Sequence, residues 1–239
     1  MTDDELQNIF TNLPEAEDIR KRNGVLLNSG IDTLRGGDFY FVGFNPAPGR
    51  GPGSTNYPLQ KLRMHDKNWT AYTCECWMCK GQCDPKRCPK TGEAKHQKNV
   101  KHIMSQLDRN PKTTFATNFI FVESVSVKEL QRDPLFQTYV DKCWLVHKKM
   151  LAVVRPKYIV CLGNGESGSA FSLVRDKAKD IRNPKESNKQ KGQPKAFKSF
   201  VGTFHLDDGI EPLPAKVIGV LHPSRWRCPE GLSDWVFKE

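Results

Sequence analysis

The stretch "DFYFVGFNPAPG" (residues 38–49) joins a buried strand to a stiff turn. The unbroken apolar run in its first half predicts a strand that is covered on both faces, as in a parallel sheet. A glycine and two prolines then stop the strand and restrict the backbone around Asn45. A polar side chain at such a strand end is a candidate for function, although an Asn can also do no more than cap the turn.

Apolar strands alternate with amphipathic helices on both sides of this stretch. Further strands are predicted at 113–122, 157–163 and 216–224, and helices at 4–22, 95–109 and 128–153, the last with a break at Pro134. This alternation predicts an α/β protein with three layers, α/β/α, around a four-stranded and mainly parallel sheet. We expect one domain over residues 1–239, with a Cys-rich insertion at about 50–95 and a basic loop at about 176–200.

The composition restricts the partners and the compartment. The formal net charge is +10 and the isoelectric point is about 9.2, which favours a polyanionic partner, although the charge can also serve solubility alone. No window of ~18 apolar residues is present, so no membrane span is predicted. The acidic start "MTDDELQNIF" (1–10) is unlike a secretory signal. We therefore expect a monomer of the cytoplasm, or of the nucleus in a eukaryote, that is not secreted.

Five of the eight cysteines lie close together, in "CECWMCKGQCDPKRC" (74–88). They are Cys74, Cys76, Cys79, Cys83 and Cys88. Such short spacings suit a thiolate-bound metal in a reducing compartment better than disulfides, which are the weaker alternative. We predict a structural zinc ion, with an iron–sulfur cluster as the second choice. The histidines that could replace one thiolate are His65, His96 and His102.

The carboxyl ends of the predicted strands carry polar groups, and ligands of parallel sheets bind at those ends. The segments concerned are "GFNPAPG" (43–49), "ATNFIFVES" (116–124), "LGNGES" (162–167) and "LHPSRW" (221–226). The third segment superficially suggests a nucleotide-binding loop, but it lacks the Gly-Lys-Ser/Thr ending of a P-loop. No nucleotide cofactor is therefore expected.

Together these segments resemble the motifs of the uracil-DNA glycosylase superfamily. "GFNPAPG" is similar to the first catalytic motif of the mismatch-specific and single-strand-selective branches, and "RPKYIVCLGNGES" (155–167) is similar to a segment of the iron–sulfur branches. "ATNFIF" resembles the motif whose Asn reads the base edge, and "LHPSR" resembles the closing His-Pro-Ser motif. The match covers about residues 36–49, 113–122, 155–168 and 214–227, in the family order. Residues 50–95 have no counterpart, and the cysteines are placed differently from those of the iron–sulfur branches.

The resemblance implies a monofunctional DNA glycosylase that flips out a pyrimidine and excises it with water. The base would be uracil-like or 5-substituted, including a bulky modified cytosine of phage DNA, which would make the enzyme part of antiviral defence. Asn45 would orient the water, and His222 would donate a hydrogen bond to the departing base. Some branches carry an Asp in place of Asn45. A catalytically idle nucleic-acid-binding module of the same fold is the alternative.

The same segments imply further contacts. The base-binding residues are predicted to be Phe44, Ala47 and Asn118, for stacking, for room at the 5-position and for hydrogen bonds to the base edge. The DNA-binding residues are predicted to be Arg50, Asn164, Ser224, Arg225 and Trp226. Trp226 could equally pack in the core, and Asn118 could merely satisfy loop backbone. The basic residues between 175 and 198 predict a solvated insert, a DNA clamp, or both.

Overall fold

The computed structural model describes residues 19, 22–47, 68–79, 84, 87–187 and 196–238. The strands are β1 (Phe39–Gly43), β2 (Ala116–Asn118), β3 (Tyr158–Leu162), β4 (Lys179–Glu186), β5 (Phe197–Phe204) and β6 (Leu213–Val220). The helices are α1 (Ala71–Cys74), α2 (Lys95–Gln106), α3 (Val127–Arg132), α4 (Phe136–Val154), α5 (Ala170–Lys177) and α6 (Leu232–Phe237), and a short 3-10 turn covers Ile31–Thr33. The predicted helix at 4–22 falls almost wholly outside the described residues.

All six strands form one sheet, in the order β2–β1–β3–β6–β5–β4. The first four of these are parallel to one another, whereas β5 and β4 run antiparallel at one edge. The predicted α/β class is therefore confirmed, and the predicted number of four strands is wrong. The four predicted strands are present as the parallel part of the sheet.

The two additional strands come from the segment that the sequence led us to expect as a basic loop, at about 176–200. The residues described there form β4 and the beginning of β5. Every residue of β4 is exposed, so no apolar alternation marks it as a strand. In β5, the apolar side chains of Phe197, Phe200 and Phe204 are buried, but lysine and glycine between them obscured the pattern.

Side chains of the parallel strands alternate between two cores, one on each face of the sheet. Tyr40 and Val42 of β1 pack in the core that α4 and α5 cover. Phe39 and Phe41 pack in the other core, against α2 and α6. The expected layers of helix, sheet and helix are thus present in the described residues.

The predicted helix at 128–153 is divided at Pro134, as expected. Asp133 ends α3 in an extended conformation, with φ −63° and ψ 125°. A residue before proline is driven out of the helical region by the proline ring, and the proline itself has no N–H to donate. The break lets α3 lie beside the end of the sheet while α4 packs along its face.

The strand order determines where a ligand can bind. After β1 the chain moves to one side to form β2, and then to the other side to form β3. A crevice opens at the carboxyl ends of the strands at such a switch point, and it is the usual binding site of open α/β sheets. No helix in the described parts of the chain has both the length and the apolar character that a membrane span requires.

Candidate active site

A cleft of about 730 Å³ lies at the carboxyl ends of β1, β3 and β6. Of the residues proposed from sequence, those that line it are Phe44, Asn45, Ala47, Asn164, His222, Ser224, Arg225 and Trp226. The fold therefore brings together residues from three strand ends that are far apart in the chain. Arg50 lies outside the described residues, and Asn118 is not among the residues that line the cleft.

The amide orientation of Asn45 is determined by its neighbours. Its Nδ2 donates to the carbonyl oxygens of Pro46 at 2.9 Å and Val122 at 3.3 Å, and to Oγ of Ser124 at 3.0 Å. Carbonyl oxygens only accept, so the nitrogen must face them. No described residue donates to Oδ1, which is left as an acceptor for a molecule in the cleft.

The tautomer of His222 also follows from its contacts. The backbone N–H of Ser224 lies 3.3 Å from Nδ1 of His222, and Oγ of Ser224 lies 2.7 Å from it. A backbone N–H can only donate, so Nδ1 accepts and the proton of the neutral ring is on Nε2. Burial, and then the nearby charge of Arg225, lower the pKa of His222, which keeps the ring neutral near pH 7.

Asn118 does not line the cleft, but its side chain packs against Gly43, the residue before Phe44 of the cleft. It is 5% exposed, and its Nδ2 has no hydrogen-bond partner among the described residues. Its side chain occupies space next to Gly43, where a Cβ would lie 2.5 Å from Oδ1 of Asn118. Gly43 is therefore required for this packing. A buried amide with an unpaired N–H is costly unless a ligand or water satisfies it.

The cleft presents accessible apolar side chains. Phe44 is buried at the base, whereas Trp226 is 38% exposed and Val125 is 76% exposed. Trp226 thus lies at the cleft and not in the core. Phe119, which follows Asn118, is 1% exposed and stacks on Trp144 and His147 instead. A flat or apolar ligand group could contact Phe44, Val125 and Trp226.

The electrostatic character of the cleft is one-sided. The charged residues among its described lining are Lys128 and Arg225, and none of the described lining residues is an Asp or a Glu. The cleft therefore favours an anionic ligand. It also offers no carboxylate, among these residues, that could act as a general base on a water molecule.

Helix α2 holds the loop that carries His222. Nδ2 of Asn99 donates to the carbonyl oxygens of Pro223 at 2.6 Å and Trp226 at 3.0 Å. Nζ of Lys95 donates to the carbonyl oxygen of Arg225 at 2.9 Å. These bonds satisfy three backbone carbonyl groups of the loop, and they restrict the loop on which the cleft depends.

His96, next on the same helix, is a site residue whose place the sequence did not reveal. We considered it as a metal ligand, but the structure places its ring in the cleft, 5.6 Å from that of His222 between centroids. It stacks on Tyr72 and meets Trp77 edge-on. Ser124, a partner of Asn45, was also missed, although a polar residue that closes "FVES" after a strand was an available signal.

A separate group of thiols lies beside α2. The Sγ atoms of Cys76, Cys79 and Cys88 lie within 4.8 Å of one another and could hold a metal ion. Sγ of Cys88 is 3.4 Å from that of Cys76 and 3.8 Å from that of Cys79. Thiolates bound to tetrahedral zinc at ~2.3 Å lie about 3.8 Å apart, so the spacing fits. Cys74 contacts Thr73 and is not in the group, and Cys83 lies outside the described residues.

Helix α2 contacts the segment that leads to the thiol group as well as the His222 loop. Nε2 of Gln97 donates to the carbonyl oxygens of Ala71 at 2.7 Å and Glu75 at 2.8 Å, just before Cys76.

Two other cysteines lie in the core and differ from the thiol group. Cys143 and Cys161 are fully buried, and burial raises the pKa of both thiols, that of Cys143 to about 12. They are inert core residues.

No protein-family model matches this chain, and no curated protein matches it significantly. The chemistry available in the cleft follows from its own groups. These are an amide oxygen held to accept, an imidazole N–H held to donate, accessible aromatic surface and basic side chains. Such a set can position a water molecule and stabilise a departing anion.

Proposed function

We propose that the protein is a DNA glycosylase that hydrolyses the N-glycosidic bond of a flipped-out pyrimidine. The observation that carries the proposal is the pairing of Asn45 and His222 in one cleft. The first presents an amide oxygen without a protein donor, and the second presents an N–H without a protein acceptor, among the described residues. Those are the two groups that the hydrolysis needs.

The reaction separates charge between the sugar and the base. His222 acts on the anionic base, and Asn45 positions the water that reacts with the cationic sugar. As the C1′–N bond breaks, the sugar becomes cationic and the base takes the electron pair. An N–H from His222 stabilises the developing anion on the base oxygen, as a donor in an oxyanion hole does. Asn45 accepts a hydrogen bond from a water molecule, whose oxygen then bonds to the cationic C1′ while the proton it loses passes to the departed base anion or to solvent. An amide cannot ionise, so the water is positioned rather than deprotonated by it.

The nucleophile is water in this proposal, although one amine is close enough to be considered. Lys128 is among the residues that line the cleft. A lysine nucleophile would form a Schiff base with C1′ of the sugar, and borohydride would trap it as a covalent adduct. We expect no such adduct with the wild-type protein. A trapped adduct that disappears in Lys128→Ala would overturn the assignment of water.

Recognition of the base draws on three residues. Phe44 supplies a face for stacking, which is worth ~1–3 kcal/mol for one base. Asn118 would supply a donor and an acceptor for the Watson–Crick edge. It does not line the cleft, and the assignment is supported by its buried Nδ2, which has no partner among the described residues. Ala47 leaves room at the 5-position, so the substrate class is uracil or a 5-substituted pyrimidine, including bulky modified cytosines.

The surrounding residues suit the rest of the DNA. Ser224, Arg225 and Asn164 offer donors to phosphates, and Arg50 belongs to the same proposal from its place in the chain. Trp226 is exposed at the cleft, and in this proposal it would enter the gap that a flipped base leaves. The net charge of +10 favours the same partner.

For the cysteine group we propose zinc in a structural role, with iron–sulfur as the second candidate. Three thiolates at the spacing of a tetrahedral site favour zinc, and we assign the fourth ligand to Cys83, since Cys74 lies outside the group. The metal would hold the segment before α2, and through it the helix that supports His222. It takes no part in bond breaking, because the cleft chemistry requires none.

Single-turnover excision is the experiment that tests the function. Oligonucleotides with uracil, 5-hydroxymethylated and glucosylated pyrimidines, in single and double strands, would be incubated with protein and treated with alkali to reveal abasic sites. Asn45→Ala and His222→Ala should each lower the rate by ~10²-fold while DNA binding persists. DNA binding without excision of any base in the panel would instead favour the idle binding module.

A further inference from the structure

Strand β4 is exposed along its whole length, on both faces. It is paired on one side only, with β5, and it forms the edge of the sheet. Edge strands need protection from pairing with other chains, and bulges, lysines and prolines are the usual devices. Protection of the edge does not by itself require the basic residues of β4 to lie on one face, as they do.

The register of β4 places three cations on one face. Lys179 pairs with Thr203, Arg182 with Val201 and Lys185 with Ser199. The β5 partners are two residues apart and so lie on one face, whereas the cations are three apart, because an irregularity lies between each successive pair. Without those two bulges, Arg182 would lie on the face opposite to Lys179 and Lys185.

A repeated sequence pattern accompanies the two bulges. "KDIRNPKES" (179–187) reads as three triplets, each with a cation first and Asp, Asn or Glu second. In the first two triplets the second residue has positive φ, 48° at Asp180 and 51° at Asn183. Asp and Asn tolerate this left-handed conformation better than other residues with a side chain, so the triplets produce the bulges.

A groove of about 320 Å³ lies on the same face of the sheet. Three lysines, Lys157, Lys185 and Lys216, line it, together with Asn183 and apolar or hydroxyl residues, and none of its described lining residues is acidic. Lys157 has an ion pair with Asp38 at 3.0 Å, and Lys216 donates to the last carbonyls of α6. The cation row therefore borders an electropositive groove.

The row also begins close to the cleft. Phe197, at the start of β5, pairs with Val220, the last residue of β6 before His222. Lys198 forms ion pairs with Glu186 at the end of β4 and with Glu166, in a loop that follows β3. From this point the row extends away from the cleft over about 14 Å, at about 3.4 Å per residue of β5. That length corresponds to about four base-pair steps along the DNA axis, at about 3.4 Å per step.

We propose that the cations of β4, Lys179, Arg182 and Lys185, bind the sugar–phosphate backbone of the nucleic acid whose target nucleotide enters the cleft. The inference rests on the proposed function for its choice of polyanion. The row would contact phosphates at some distance from the excised base, and it would contribute affinity but no sequence selectivity.

The test measures binding separately from excision. The triple variant Lys179→Gln/Arg182→Gln/Lys185→Gln and the wild type would be titrated with a duplex that carries no modified base, over a range of salt concentrations. The slope of log K against log salt is negative, and each lost phosphate contact should reduce its magnitude by about 0.9. A reduction of about 2 to 3 is therefore expected, with affinity roughly ten- to a hundred-fold weaker at 0.15 M salt.

A control removes positive charge elsewhere. Arg35 and Lys112 are exposed and shortly precede β1 and β2, the two strands farthest from β4 in the sheet, and their replacement by Gln should leave the slope near the wild-type value. A wild-type slope in the β4 variant overturns the proposal. If that variant also self-associates, the cations of β4 serve to prevent the edge strand from pairing with other chains. If the β4 variant binds DNA more weakly but the wild type excises no base, the DNA-binding role of β4 is supported and only the proposed glycosylase activity is wrong.

Discussion

The side-chain amide of Asn99 donates a hydrogen bond of 2.6 Å to the carbonyl oxygen of Pro223, the residue after His222. This bond ties α2 to the loop that delivers the imidazole. Asn99→Ala should lower the excision rate by tenfold or more, because small displacements of a catalytic group are costly, and should cost about 1–3 kcal/mol of stability.

Gln106 provides the control for this prediction. Its Nε2 also joins α2 to the carboxyl-terminal segment, at the carbonyl oxygen of Pro229, but away from the cleft. Gln106→Ala should lower the melting temperature comparably and leave the rate per folded molecule unchanged. Equal rate losses in the two variants would show that Asn99 acts through stability alone.

Asn45→Asp tests the orientation of the Asn45 amide. The carboxylate cannot donate to the carbonyl oxygens of Pro46 and Val122 or to Ser124, so the free energy of unfolding at pH 7 should fall by about 2 kcal/mol relative to wild type. The pKa of the new carboxyl should be raised in the folded state, and the deficit should therefore shrink as the pH falls towards 4. Urea unfolding at both pH values measures this, and a deficit that does not change with pH contradicts it.

Replacement of single cysteines by serine should reveal which thiols bind the metal. Elemental analysis should find about one metal ion per chain, lost in Cys76→Ser, Cys79→Ser and Cys88→Ser and retained in Cys74→Ser, since Cys74 is outside the group. A chelator should lower the melting temperature, because metal binding contributes directly to folding. Loss of metal from Cys74→Ser would add that thiol to the site, and strong visible absorbance would indicate iron–sulfur instead of zinc.

His147 should make the protein sensitive to mild acid. Its Nε2 donates to the carbonyl oxygen of Phe119 at 2.9 Å, and its Nδ1 accepts from the hydroxyl of Tyr40 at 2.6 Å. Burial lowers the pKa of His147 from 6.5 to about 4. The unfolded chain therefore binds a proton that the folded protein does not, and stability falls as the pH drops below about 6.5.

The size of this effect can be isolated with one variant. Between pH 7 and pH 4.5 the wild type should lose about 2–3 kcal/mol through His147. His147→Gln should start from a lower stability and lose that much less over the same interval, since glutamine does not titrate. Parallel pH profiles from urea unfolding of the two proteins would contradict the assignment.

Ala47→Tyr should narrow the range of substrates. Ala47 is exposed on the wall of the cleft, and a phenol ring there would occupy space beside a flipped base. We expect excision of 5-hydroxymethylated or glucosylated pyrimidines to fall by tenfold or more, with a smaller effect on uracil, because exclusion of a substituent requires a wall. Ala47→Ser, which adds little volume, is the control. Unchanged activity on bulky bases would show that another part of the cleft limits the substrate.

Local pattern was sufficient for the parallel part of the fold. Continuous apolar runs indicated β1 and β3, helical periodicity indicated α2, and Pro134 indicated where α3 ends, since each of these signals depends on neighbouring residues alone. The same signals failed for β4, because a strand exposed on both faces has no apolar period and its bulges shift the register. Strand-end position also placed Asn45 and His222 at one edge of the sheet.

The sequence by itself thus determined the residue types at the strand ends and the cysteine cluster, because both are visible as short motifs. Only the tertiary structure decided that Asn45 presents its oxygen, that His222 presents Nε2–H, and that His96 belongs to the cleft rather than to the metal site. It likewise separated Cys74 from the other thiols and packed the side chain of Asn118 against Gly43. The physical reason is that hydrogen-bond partners such as Val122 and Asn99 lie 77 and more than 120 residues from the groups they orient, and chain folding alone brings them within 3.3 Å.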